Sequence, residues 1–177
     1  RVGSVFGAGY DTYYQASHAS MVGEDTTISV TLEGDCVVGY VYGGGYRGTI
    51  GSSSNPIGSI SIDITGGTVL YDVFGGGRGG LDKAIHSWNG GINDTLQPNS
   101  IRDSTGYSLV YAGTITVNIS GGEVRGSVYG GGESVPGLAS YNGFPLGTIR
   151  NGVAAVDAGV ITVRVTGGSV EGSVYGA

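Results

Sequence analysis

Residues 114–132 read TITVNISGGEVRGSVYGGG, and the chain says nearly the same thing three more times. The other copies are TISVTLEGDCVVGYVYGGG (27–45), SISIDITGGTVLYDVFGGG (59–77) and VITVRVTGGSVEGSVYGA (160–177), and a partial copy, RVGSVFGAG, occupies residues 1–9. Self-similarity of this kind marks a repeat architecture, in which one supersecondary unit buries its apolar face only by stacking on its neighbours. The 177 residues therefore read as a single repeat domain.

The first half of each copy alternates. Ile115, Val117 and Ile119 share one face, and Thr114, Thr116, Asn118 and Ser120 the other. Ile28/Val30/Leu32, Ile60/Ile62/Ile64 and Ile161/Val163/Val165 repeat the pattern. Period two in β-branched residues predicts a half-buried strand, with Ile and Val inward and Thr and Ser outward. Gly66-Gly67, Gly121-Gly122 and Gly167-Gly168 follow, with Gly34-Asp35 in the first copy. These pairs accept a positive φ, so the chain turns there. A second strand comes next, with Val124, Gly126 and Val128 on one face, matched by Val37/Gly39/Val41, Val69/Tyr71/Val73, Val170/Gly172/Val174 and Gly3/Val5. Every copy then carries an aromatic: Phe6, Tyr42, Phe74, Tyr129, Tyr175.

An all-β fold follows, and two architectures satisfy the pattern. In a β-solenoid of about four irregular coils, like positions stack and Gly-Gly is a corner. In a sandwich of hairpins, Gly-Gly is a two-residue turn between antiparallel partners. Repetition of one aromatic at one register favours the solenoid, where the five rings would form a structural ladder. The aromatics are 36, 32, 55 and 46 residues apart, more than the roughly 20–25 that a minimal coil needs. The surplus falls in four insertions, 10–25, 46–58, 78–113 and 133–159, which all leave the unit after its Gly-rich close and so are expected to cluster on one side.

Glycine accounts for 38 residues, without a Gly-X-Y period, which excludes collagen. Only 12% of residues are charged and the net charge is −6, which argues against nucleic acid as a partner. No apolar run is long enough for a membrane-spanning helix. The single cysteine, Cys36, allows no internal disulfide. A chain poor in Cys and Lys but rich in Gly, Ser, Thr and Tyr fits an exported protein, and Arg1 in place of Met reads as a mature product or a fragment.

No motif points to catalysis, a metal or another cofactor. The insertion 78–113 gathers Asp82, Lys83, His86, Trp88, Asp94, Arg102 and Asp103; a carbohydrate-cleaving site would need paired carboxylates from such a set close in space. Of the 12 tyrosines, several fall in insertions. Tyr46, Tyr107, Tyr111 and Tyr141, with Trp88, form a candidate surface for a glycan or protein ligand, because an aromatic ring offers amphipathic contact area at low entropic cost. The outward Thr rows resemble a flat hydroxyl surface of the ice-binding kind, but Asp63, Asn118 and Arg164 interrupt them. Asn93 and Asn118 match the N-glycosylation acceptor pattern.

The motif ITVxxxGGxVxGxVYGGG resembles the Gly-rich β-strand repeats of bacterial surface adhesins and autotransporter-like proteins. The resemblance covers about half the chain and implies an extracellular, non-enzymatic, structural or adhesive role. The two ends share one phase of the repeat, GSVFGA against GSVYGA. The expected partner is thus the unit itself, either as further repeats of the same chain or as subunits stacked end to end into a fibre.

Overall fold

A computed structural model describes residues 1–9, 27–46, 48–54, 56–79, 108–134, 140–141, 144–145 and 154–176. The described residues form strands and turns, with no helix. In chain order the strands are β1 (Val2–Phe6), β2 (Thr27–Leu32), β3 (Val37–Tyr42), β4 (Thr49–Ile50), β5 (Ile57–Ile64), β6 (Thr68–Val69), β7 (Val73–Phe74), β8 (Ser108–Ile119), β9 (Glu123–Val124), β10 (Val128–Tyr129), β11 (Ser140–Tyr141), β12 (Phe144–Pro145), β13 (Ala154–Val165), β14 (Ser169–Val170) and β15 (Val174–Tyr175).

Two parallel sheets hold the repeats. The first halves pair in the order β2, β5, β8, β13, and β4 adds to the start of β8. The second halves pair copy to copy from β1 through β3 to β6/β7, β9/β10 and β14/β15. The pairing joins equivalent residues: Ile28 with Ile60, Ile60 with Ile115 and Ile115 with Ile161. Among the described residues, strands on either side of a glycine turn pair with their counterparts in neighbouring copies and not with each other. That is the opposite of what a Gly-Gly hairpin requires; the only antiparallel pair described is the small ribbon β11–β12. Each glycine turn therefore acts as a corner, with positive φ at Gly34 (63°), Gly67 (79°), Gly122 (74°) and Gly168 (70°).

The two sheets face each other through their aliphatic residues. Val30, Leu32, Ile62, Ile64, Val117 and Ile119 from the first meet Val38, Val41, Val69, Val73, Val124 and Val128 from the second. Each such side chain contributes about 1.5–3 kcal/mol relative to exposure. A second cluster, Ile50, Ile57, Ile60, Val110, Ala112 and Ile115, lies beside it. It exists because β8 and β13 begin earlier than the alternation of the repeat suggests. Ser108, Val110 and Ala112 face inward, then Gly113 and Thr114 are both exposed, then Ile115, Val117 and Ile119 face inward. The phase slips by one residue at Gly113, which stacks on Gly58 and under Gly159, so the earlier half of the strand also turns apolar side chains inward, into the second cluster. The ends of the insertions 46–58, 78–113 and 133–159 are thus strand.

The first copy corrects the predicted register. Val38, not Val37, pairs with Val69 in the core, while Val37 pairs with Thr68. The turn Gly34-Asp35 holds one residue more than its counterparts, and one residue fewer separates Val38 from Val41 than separates Val69 from Val73. The two differences cancel, so Tyr42 and Phe74 remain in register.

The glycine after each aromatic has a packing reason. A Cβ at Gly7, Gly43 or Gly75 would lie 2.6–2.8 Å from the Cγ2 of Ile28, Ile60 or Ile115. The isoleucine that opens each alternation occupies the volume that this glycine leaves empty. Overpacking of this kind costs about 1–3 kcal/mol. Gly75→Ala should therefore lower the thermal midpoint by about 4 °C or more. Gly3→Ala, where a Cβ meets nothing within 4 Å, should leave it unchanged; calorimetry on the two variants checks both.

Candidate functional site: the aromatic ladder and its polar corner

In-register pairing places each aromatic directly on the next. Phe6, Tyr42, Phe74, Tyr129 and Tyr175 form a continuous column with centroid separations of 4.6, 5.3, 4.8 and 4.9 Å and interplanar angles of 7°, 4°, 7° and 5°. These separations match the ~4.8 Å spacing of paired strands. Each contact adds about 0.5–1.5 kcal/mol beyond area burial. The adjacent valines, Val41, Val73 and Val128, point the other way, into the core.

Beside the column lies the corner at which the insertions depart. Tyr46, Arg78 and Glu133 form successive parallel bridges. Their backbones are tied by Tyr46 N donating to Gly9 O (3.2 Å), Arg78 N to Gly45 O (2.9 Å) and Glu133 N to Gly77 O (2.9 Å). The departure points at residues 9, 46, 79 and 134 are thereby aligned along the stack. Ser108, a buried polar residue on the adjoining face, donates its hydroxyl to Gly45 O at 3.0 Å.

The side chains of this corner cross-link three copies. Glu133 Oε2 accepts from Arg78 Nε at 2.9 Å and from the Tyr42 hydroxyl at 2.5 Å. Phe74 stacks between the Tyr42 and Tyr129 rings and has no hydroxyl to compete for that carboxylate. The Arg78 guanidinium lies 5.8 Å from the centre of the Tyr46 ring, which tilts at 58° against Phe6. Burial pushes the Tyr42 hydroxyl far above the usual tyrosine range, helped by its hydrogen bond to the Glu133 carboxylate and that group's charge. Tyr40 is raised too, first by burial and then by the charges of Glu133 and Asp72.

The repeated serine of the GSVY phrase has a role that periodicity did not expose. The second-half strands are interrupted between their two core valines, and a side chain fills the missing rung. Ser127 N donates to Asp72 Oδ1 at 2.7 Å, and Ser173 N donates to Ser127 Oγ at 3.1 Å. The recurrence of Gly-Ser before Val was the available signal.

On the outward face of the first sheet, Thr27 and Ser59 share a hydroxyl hydrogen bond of 3.0 Å. Asp63 accepts from Ser61 Oγ at 2.7 Å and from Asn118 Nδ2 at 2.9 Å. The row Thr31, Asp63, Asn118, Arg164 is thus a polar network across copies and not a plane of hydroxyls. Asn118, one of the two sequence matches to a glycosylation acceptor, lies half-buried near the end of β8 and donates its Nδ2 to Asp63 Oδ1. Of the candidate ligand surface, Tyr46 stands at the corner just described, and Tyr111 lies half-buried in β8. The backbone of Tyr141 is in β11. Trp88, Tyr107, Asn93 and the polar set from Asp82 to Asp103 lie outside the described residues. Among the described residues no group of three or more His, Cys, Asp and Glu is arranged to hold a metal ion, and no helix is long and apolar enough to cross a membrane. Comparison with protein-family models, with characterised proteins and with solved structures found no match to this chain.

The raised Tyr42 hydroxyl has a defined consequence for stability. In the unfolded chain a tyrosine releases its proton near pH 10, whereas Tyr42 in the fold retains it well above that. The stabilisation is fully present below about pH 10 and is lost as pH rises further, by up to about 1.4 kcal/mol per pH unit. Tyr42→Phe should be about 1.5 kcal/mol less stable at neutral pH, through loss of a charge-assisted hydrogen bond. It should also lose stability less steeply than the parent between pH 10 and 11.5. Denaturant midpoints of both proteins across that range provide the check.

Proposed function

We propose that this chain is a length of β-solenoid, and that its role is structural and adhesive: a non-enzymatic segment or subunit of an extracellular fibre that continues, by the same stacking, into further copies of the unit. The observation that carries the reading is the in-register parallel pairing of equivalent residues across every successive copy. Such a stack grows by adding like to like. Its outermost strands support the same reading. Val2 in β1, Val160 and Val165 in β13, and Val174 and Tyr175 in β15 expose large apolar surface, where Val117, Ile119 and Val128 in inner strands are buried. Another copy laid on either outer layer would cover that surface and pair its free backbone groups. The Gly-, Ser-, Thr- and Tyr-rich composition, low in charge, supports an exported location.

Two measurements test the proposal at different levels. Ser61 and Thr116 are Cα partners in adjacent copies on the outward side. In a Cys36→Ser background, cysteines at 61 and 116 should form a disulfide under mild oxidation, because adjacent paired strands place their Cα atoms within disulfide reach. Cross-linking that succeeds only after unfolding would refute the stacked architecture. For the role, antibody raised against this chain should label intact source cells along fibrous surface structures in immunoelectron microscopy; labelling confined to the interior of opened cells would refute it.

A further inference from the structure

Among the described residues most exposed large apolar side chains belong to the outermost copies, but Tyr71 does not. It lies in the second full copy, inside the stack, and is 51% exposed. By register it is level with Tyr40 in the preceding copy, two residues after Val38 as Tyr71 is two after Val69, and with Gly126 and Gly172 in the next two copies. The two following copies keep glycine at this level, whereas this copy and the one before it carry tyrosine. The ring is held upright by Tyr40, stacked at 4.7 Å and 25°, and Tyr40 in turn lies 6.1 Å from Tyr42 of the buried ladder. Tyr71 is therefore braced on the Tyr40 side. On the other side the next two copies carry glycine, a shelf two strands wide, or about 10 Å, with Asp72 Oδ1 lying where a Cβ of Gly126 would be and Ser127 Oγ where a Cβ of Gly172 would be.

The shelf is bordered by groups that form hydrogen bonds. Arg125, exposed and paired with Glu123 at 3.2 Å, precedes Gly126 in the chain, and Ser127 follows it. Glu171 and Ser173 flank Gly172 in the same way, and both are exposed. Asp72, next to Tyr71, uses Oδ1 on Ser127 N. Its Oδ2 has no partner among the described residues. Among the described residues no other large apolar side chain outside the outermost copies is exposed, so those residues offer too little hydrophobic surface here for a stable protein interface.

An upright aromatic face, a glycine floor lined by the Asp72 carboxylate and the Ser127 hydroxyl, and the neighbouring Arg125 guanidinium suit a ligand with one apolar face and a hydroxylated edge. We infer that Tyr71, braced by Tyr40 over the Gly126–Gly172 shelf, is a binding platform for a pyranose unit of a polysaccharide. The C–H face of the sugar lies on the open face of Tyr71, and its hydroxyls meet Asp72, Arg125 and Ser127. This goes beyond a fibre role and stands apart from it, since the platform lies within the stack and requires no further copy.

The test uses the whole chain with two neutral probes, cellohexaose and chitohexaose, read by saturation-transfer NMR and titration calorimetry. At least one probe is expected to bind, with the strongest transfer at sugar ring C–H protons. Tyr71→Gly installs the residue of the next two copies, so the fold should persist, as near-ultraviolet circular dichroism of the ladder would report. Binding should fall about tenfold or more, the worth of one aromatic contact. Tyr71→Phe, which keeps the ring, should bind within about threefold of the parent. The inference is overturned if neither probe shows transfer, if Tyr71→Gly binds as the parent does, if Tyr71→Phe loses as much as Tyr71→Gly, or if Tyr71→Gly instead abolishes self-association.

Discussion

The constraint on which everything else rests is that each residue pairs, about 4.8 Å away, with its own equivalent in the next copy. Whatever a position carries, it meets again in the adjoining strand. Apolar positions gain from this: Ile60, Ile115 and Ile161 form a row, and so do the five aromatic rings. Charged positions lose, because like charges directly opposite repel. The chain responds by carrying few charges and never stacking two of one sign in the described rows. Asp63 meets Asn118, which meets Arg164; Arg78 meets Glu133; Thr68 meets Glu123, which meets Ser169. The low charge content of the sequence is thus a consequence of the pairing as much as a clue to location.

The same rule explains the glycines. Where neighbouring backbones approach closely, a Cβ in one copy would be a Cβ in all. The row after each aromatic stays empty because the isoleucine of the facing strand fills it. The glycine turns act as corners, and their positive φ allows the chain to change direction without forming a hairpin. Tyr71 belongs to a different row, level with Tyr40, Gly126 and Gly172, and its ring stands out from the surface.

The corner formed by Tyr42, Tyr46, Arg78 and Glu133 links the regular part of the molecule to the variable one. The repeat delivers three backbones in register to a single edge. One carboxylate, shared by a guanidinium and a buried phenol, then ties the first copy to the third. The long segments thus leave from a fixed set of aligned anchors.

The alternation of Ile and Val with Thr and Ser, the Gly-Gly turns and the constant aromatic determined the strands, the inward face and the ladder, because these depend on a local period that a single chain displays. What the sequence left open was the partner of each strand. Hairpin and stack place the same side chains inward, and only long-range pairing distinguishes them; the tertiary structure decided for parallel pairing between copies. It also decided the register of the first copy, where an extra turn residue is compensated by one fewer after Val38, and the slip at Gly113 that adds a second apolar cluster beside the first. Both are one-residue shifts, which reverse the facing of a strand without changing its composition. The meeting of Tyr42, Arg78 and Glu133, and the seat of Tyr71 beside Gly126 and Gly172, were likewise invisible in the chain: residues 36 to 101 positions apart are brought together only when the copies stack.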